Sequence, residues 1–268
     1  MAENKAIAKQ TKMSIESLVH NEEFMHKAED ILGEGTPQFM TSVLTLKNSN
    51  KLLAECDPIK LYNCCLMSAA LKLPFNQNLG QAYIVPFKNK QGEQEPQLQI
   101  GYKGFIQLAQ RSGQFRRINC SDVREGEIKS RNRLTGEIEF EWLEDAERDR
   151  KEIKGYVAYF ELLNGYQQTL YMSKEEVLAH AGRYSQSYKK GYGVWIDNFD
   201  AMARKTVLKR ILNLFAPLSV DMQKAMEYDQ ADADGRYPDN ADRVEIIEAE
   251  IGTSEEERKA SNEHESTK

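Results

Sequence analysis

The spacing at which apolar residues recur changes along this 268-residue chain, and the changes predict its elements. Ile15, Leu18, Val19, Met25 and Ile31 fall near helical spacing between Ser14 and Leu32. Thr36-Pro37 supplies a cap and first position for a helix through Leu46, and Asp57-Pro58 repeats that signal ahead of residues 59–72. The first third therefore reads as helical, with Leu and Met stripes that serve as core or subunit interface. Strand patterns fill the middle. Ala82 to Phe87 and Gln97 to Ile100 form a hairpin, residues 114–123 read as a strand, and Glu127 to Ser130 pairs with Ile138 to Trp142 around Thr135-Gly136. Ile153 to Leu163 and Gln167 to Met172 are joined by Asn164-Gly165-Tyr166, a strong hairpin signal. The count is about five or six strands, mostly antiparallel.

Two more helices are legible. Ser173-Lys174-Glu175-Glu176 is a capping box opening a helix to about Ala181. Asp197 to Phe215 buries Leu208, Ile211, Leu212 and Phe215, and turns Lys205, Thr206, Lys209, Arg210 and Asn213 outward. Arg204 stands at the edge of the stripe, in place for a buried pair, and Pro217 prevents continuation. The expected organisation is a basic flexible arm over residues 1–13, one mixed α+β domain over 14–220, and an acidic flexible tail over 221–268. In that tail Val244 to Ile251 is a short segment suited to docking on a partner.

The stretch from Leu71 to Gly113 carries the densest information. After its hairpin, Tyr102, Phe105, Ile106 and Ala109 recur at i, i+3, i+4, i+7, while Lys103, Gln107, Gln110 and Arg111 recur on the opposite face. This helix has an apolar side and a cationic side, and Ser112-Gly113 ends it.

Charge sharpens the picture. The formal net charge of -6 argues against a nucleic-acid partner until its distribution is seen: residues 221–268 hold fifteen acidic and six basic residues, so the first 220 carry +3. Lys72 to Glu125 holds eight cations against four anions, and Arg183 to Arg210 holds seven against two. A polyanion responds to such local patches and not to the overall isoelectric point. In the loop between the last two helices, Arg183, Tyr184, Tyr188, Lys189, Lys190, Tyr192 and Trp195 interleave cations with aromatics, a composition able to hold phosphates and stack bases.

Several chemistries have no foothold. No Gly is followed by Lys, so there is no P-loop, and Gly-x-Ser-x-Gly is absent. Cys56, Cys64, Cys65 and Cys120 show no metal-ligand spacing and fit a reduced, intracellular protein, and no apolar run approaches the roughly 20 residues that span a bilayer. Asp122 followed by Glu127-Ile128-Lys129 has the order of some nuclease metal sites, which makes a metal-dependent nuclease the rival reading; a passive strand-coating protein is another.

Leu73-Pro74, Gly80-Gln81-Ala82-Tyr83, Val85-Pro86-Phe87, Gln99-Ile100-Gly101-Tyr102-Lys103-Gly104 and Leu108-Ala109-Gln110-Arg111-Ser112-Gly113 resemble the signature of the RecT family of phage single-strand annealing proteins. Met202-Ala203-Arg204-Lys205-Thr206 resembles its second signature. The resemblance implies a curved antiparallel sheet backed by helices. It also implies an ATP-independent, oligomeric protein, as ring or filament, that binds single-stranded DNA and anneals it in the bacterial cytoplasm beside a phage exonuclease and a host single-strand-binding protein. No cofactor is implied, although magnesium can accompany DNA. On this reading Lys103, Arg111, Arg116, Arg117, Lys205, Lys209 and Arg210 contact phosphates, with Gln107 beside them; Lys88, Arg124, Lys189 and Lys190 complete the set. Tyr83, Phe87, Tyr102 and Phe105 are chiefly structural.

Overall fold

The computed structural model describes residues 13–89, 92–191 and 193–234. All of the expected arm except Met13, and the docking segment at 244–251, lie outside the described residues. The fold is α+β, as expected, with helices first and antiparallel strands after them.

The chain divides into two compact units: residues to Ala70 with Ile84–Gln97, and Leu71–Tyr83 with the described residues from Leu98 onward. The first unit is mainly helical, with α1 (Ile15–Leu18), α2 (Glu22–Leu32), α3 (Thr36–Ser49), α4 (Lys51–Ala54) and α5 (Pro58–Ala70). The single helix expected over residues 14–32 is two, because the Asn21 side chain accepts from the Glu23 and Phe24 amides and starts a new one. Asp57 caps α5 in the same way through Ile59 and Lys60. At the centre Tyr62 meets Phe24 and Phe39 edge-on, with ring centroids 5.2 and 5.6 Å apart, and donates its hydroxyl to the Phe24 carbonyl at 2.6 Å.

The strands β1 (Ala82–Lys88) and β2 (Gln94–Ile100) form a hairpin whose residues belong partly to each unit. The second unit continues with α6 (Tyr102–Arg111), β3 (Phe115–Arg124), β4 (Ile128–Arg131), β5 (Ile138–Phe140), α7 (Asp145–Arg148), β6 (Ile153–Leu162) and β7 (Gln167–Ser173). Helices α8 (Lys174–Tyr184), α9 (Gln186–Lys189), α10 (Val194–Asp197), α11 (Phe199–Phe215) and α12 (Val220–Asp234) complete it. The described strands form three small sheets: the β1–β2 and β4–β5 hairpins, and β3-β6-β7 with β6 central. The capping box at Ser173 is present in both of its hydrogen bonds.

Strand β6 explains the packing. Tyr156, Ala158, Phe160 and Leu162 alternate onto the face covered by α11, where Ala203, Val207, Leu208, Ile211 and Leu212 are buried. Tyr156 donates its hydroxyl to Asp200 of α11. The helix α6 is seated by two glycines. A Cβ on Gly101 would lie 2.3 Å from the Gly80 carbonyl oxygen and one on Gly104 2.2 Å from that of Gln81, so only hydrogen fits at either position. Its buried stripe is Phe105, Leu108 and Ala109; Tyr102 and Ile106 are half-buried, a rotation of the expected apolar face.

The chain is helical beyond the boundary expected at residue 220. Met222, Ala225, Met226 and Asp229 of α12 are buried, because an acidic, aromatic-poor sequence still places three apolar residues and one paired carboxylate on a single helix face.

Candidate nucleic-acid interface

Ion pairing sorts the cations. On β3 a bulge between Phe115 and Arg117 brings both Arg116 and Arg117 to the carboxylate of Glu161 on β6, at 3.0 and 3.7 Å. Their side chains stay 55 % and 74 % exposed, so both remain available to solvent anions. Arg124 is different. Its Nε lies 2.9 Å from Asp122 and its Nη1 donates to the Lys151 carbonyl, inside a cluster where Asp122 also holds Arg148 and Arg204 at 3.1 Å each. Arg148 donates through Nε to Glu127 at 2.7 Å, and Glu127 is fully buried.

That cluster bears on the rival reading. Asp122 and Glu127 face guanidinium groups at hydrogen-bond distance, an electrostatic setting that repels a divalent cation. Burial acts to raise the Asp122 carboxyl, but Arg148 and Arg124 outweigh it and hold the group below its ordinary value. Arg204 takes the buried pair for which its sequence position fitted it.

Lys205 and Lys209 converge on one carboxylate. Asp229 of α12 accepts from Lys205 Nζ at 2.6 Å, from Lys209 Nζ at 2.7 Å and from the Ile100 amide at 3.1 Å. Lys205 is buried, and Thr206 beside it bonds back to the Met202 carbonyl, so neither faces outward as the helical pattern alone suggested. Arg111 is exposed but donates to the carbonyls of Leu71 and Lys72 at 2.6 and 3.3 Å, tying the segment before the hairpin to α6. Lys103 is exposed; Gln107 is half-buried and bonds Gln110 at 3.4 Å. Lys88 is exposed in the first unit, where it shares a shallow pocket with Glu55, Asp57, Glu93 and Glu95.

The clearest concentration of positive charge lies on α8, α9 and α11. His180 of α8 is held below its ordinary pKa first by burial and then by the charges of Arg210, Lys209 and Arg183, whose fields therefore reach one imidazole. Its ring is 4.7 Å from that of Tyr184, over which Arg183 also stands at 5.9 Å. Lys189 donates to the Arg183 carbonyl at 3.2 Å, and Lys190 follows it, exposed. Arg183, Lys189, Lys190 and Arg210 are exposed and thus make a patch interleaved with tyrosine, whereas Lys209 is taken up by Asp229. The charge run and its aromatics were visible in the sequence; that His180 sits among them was not, because the four histidines are scattered along the chain.

Comparison with known proteins decides the family. The RecT family profile matches residues 37–245. The chain belongs to the RecT family. It is 39% identical over 249 residues to the uncharacterized protein YqaK of Bacillus subtilis, covering 92% of this chain and 84% of that protein. It is 29% identical over 193 residues to protein RecT of Escherichia coli, covering 66% and 65% respectively. RecT membership bears out the reading taken from the signature dipeptides and makes the chain a recombination protein of the annealing kind.

The structure gives the first RecT signature a steric reason, since Gly101 and Gly104 are the positions where α6 touches backbone. In the second, Arg204 and Lys205 both hold buried carboxylates. Burial pushes the Cys56 and Cys120 thiols up to about 11. No described helix is long and apolar enough to cross a membrane.

Proposed function

We propose that this RecT-family protein binds single-stranded DNA by its sugar-phosphate backbone and anneals it to a complementary strand without nucleotide hydrolysis. The observation that carries the reading is the patch of exposed Arg183, Lys189, Lys190 and Arg210 with Tyr184 and His180 among them. Phosphate contacts fix a strand without reading its sequence, and they leave base edges open to a second strand. Pairing then supplies the driving force, because stacking is worth on average about 1.4 kcal/mol per base step. Exposed Lys103, Arg116 and Arg117 extend the cationic surface to other elements. The working form is an oligomer, ring or filament, in the bacterial cytoplasm, served by an exonuclease that exposes single strands.

The test is binding of oligothymidylate across a salt series. Four phosphate contacts per protomer, from Arg183, Lys189, Lys190 and Arg210, predict a log-log slope of about -2.8, from about -0.7 per contact for single strands. Replacing Arg183, Lys190 and Arg210 by Ala is expected to reduce that slope by about 2. A folded triple variant with the parent's affinity and slope would overturn the assignment.

A further inference from the structure

The register of the three-stranded sheet defines a face turned away from α11. Arg117, Glu161 and Gln167 form one cross-strand row, Asn119, Tyr159 and Thr169 the next, and Ser121, Val157 and Tyr171 a third. The alternate positions point the other way, as Arg204 on Asp122 and Asp200 on Tyr156 show. Tyr159 stands on the central strand of this outward face. Its cross-strand neighbours Asn119 and Thr169 are small and polar, and the ring is half-buried. Its hydroxyl donates to Gln167 Oε1 at 3.1 Å, which ties the ring toward β7.

Charge lies beside the ring. Two guanidiniums share the one carboxylate of Glu161, so the row next to Tyr159 carries a net positive charge, and both arginines remain more than half exposed. We propose that this outward face of β3-β6-β7, with Tyr159 flanked by the Asn119 and Thr169 side chains and the Arg116–Arg117 pair in the next row, is a stacking platform for bases of single-stranded DNA. The inference rests on the proposed function and extends it. The helical patch holds backbone, whereas this face holds a base by its π-surface and the adjoining phosphate by arginine. The polar side chains of Asn119, Thr169 and Gln167 about the ring favour a nucleic acid over a second copy of this chain, since an obligate subunit interface is more apolar. A base stacks on a ring flanked by small side chains whatever its identity, which suits strands of any sequence.

The test uses the full chain, oligothymidylate containing a photoreactive halogenated thymidine analogue, and the variants Tyr159→Phe, Tyr159→Ala and Thr169→Asp. Cross-links are expected in the β6 peptide at Tyr159. The Ala variant is expected to bind about 5- to 150-fold more weakly with the salt slope unchanged, because stacking involves no counterion, while Phe stays within about threefold. Thr169→Asp keeps the ring but sets a carboxylate beside it, and is expected to weaken binding about tenfold or more; it decides the matter if the Ala variant fails to fold. Cross-links confined to other peptides would overturn the platform while leaving the proposed function standing, as would parental affinity in the Ala and Asp variants. A changed oligomeric state with unchanged DNA affinity would overturn it too. Failure of the parent protein to bind any single strand would instead overturn the proposed function.

Discussion

Lys205 and Asp229 lie 24 residues apart and meet at 2.6 Å, with the carboxylate almost fully withdrawn from solvent. Lys209 shares that carboxylate, so α12 is pinned to α11 by one buried anion and two ammonium groups. Removing one partner of such a pair leaves an uncompensated buried charge. Asp229→Ala is therefore expected to destabilise the protein by about 3–5 kcal/mol, read as a lowered urea midpoint.

The same group predicts a pH dependence. Burial acts to raise the Asp229 carboxyl, but Lys205 and Lys209 outweigh it and hold it below its ordinary 3.8; Asp122 is depressed in the same direction by Arg148 and Arg124. A depressed folded-state value contributes stability that is present above the unfolded value and lost as pH falls through the folded one. Stability is thus expected to fall below about pH 4, and Asp229→Asn with Asp122→Asn is expected to flatten that decline in acid unfolding curves.

Gly104 offers a steric test. With the Gln81 carbonyl 2.2 Å from an added Cβ, Gly104→Ala must move α6 or the segment before β1. A loss of roughly 1–3 kcal/mol is expected, of the size seen for overpacking, and thermal unfolding followed by circular dichroism measures it. Gly182, where an added Cβ meets nothing within 4 Å, is the control and its Ala variant is expected to be neutral or slightly more stable.

Arg148 and Glu127 form a double-mutant cycle. Arg148→Met alone strands the fully buried Glu127 and is expected to cost about 3 kcal/mol or more, whereas Arg148→Met with Glu127→Gln is expected to recover part of it. A cycle with no coupling in chemical denaturation would show that the pair adds nothing.

Much of this was legible beforehand, for identifiable reasons. Helix starts at Asp57-Pro58 and Ser173 depend on a few adjacent residues, as does the turn at Asn164-Gly165, and each appears where its local chemistry placed it; the helix at Thr36-Pro37 also starts there, but with Gly35 as its cap and Thr36 inside it, donating to the Gly33 carbonyl. The capping role of Asn21 is equally local but was missed in a stretch read as continuous. The fates of individual cations were not legible. Whether Lys205 meets a phosphate or a carboxylate depends on Asp229, 24 residues away, and Arg124 is drawn to Asp122 inside a cluster that the distant Arg148 and Arg204 complete. Glu161 comes opposite Arg117 only once the β3–β6 register is known. Helix α12 escaped because its composition resembles a solvated tail, and only tertiary burial of Met222, Ala225 and Met226 distinguishes it.

The central claim is that this chain brings complementary strands together by holding backbones and leaving base edges free. The most direct measurement mixes two complementary oligonucleotides, one with a fluorophore and one with a quencher, with the full-length protein and no nucleotide, and then runs the products on a denaturing gel. The account predicts pairing faster than the spontaneous rate, unaltered by added ATP, with both strands at their original length. Pairing slower than the protein-free control, or strands shortened in the presence of magnesium, would contradict it.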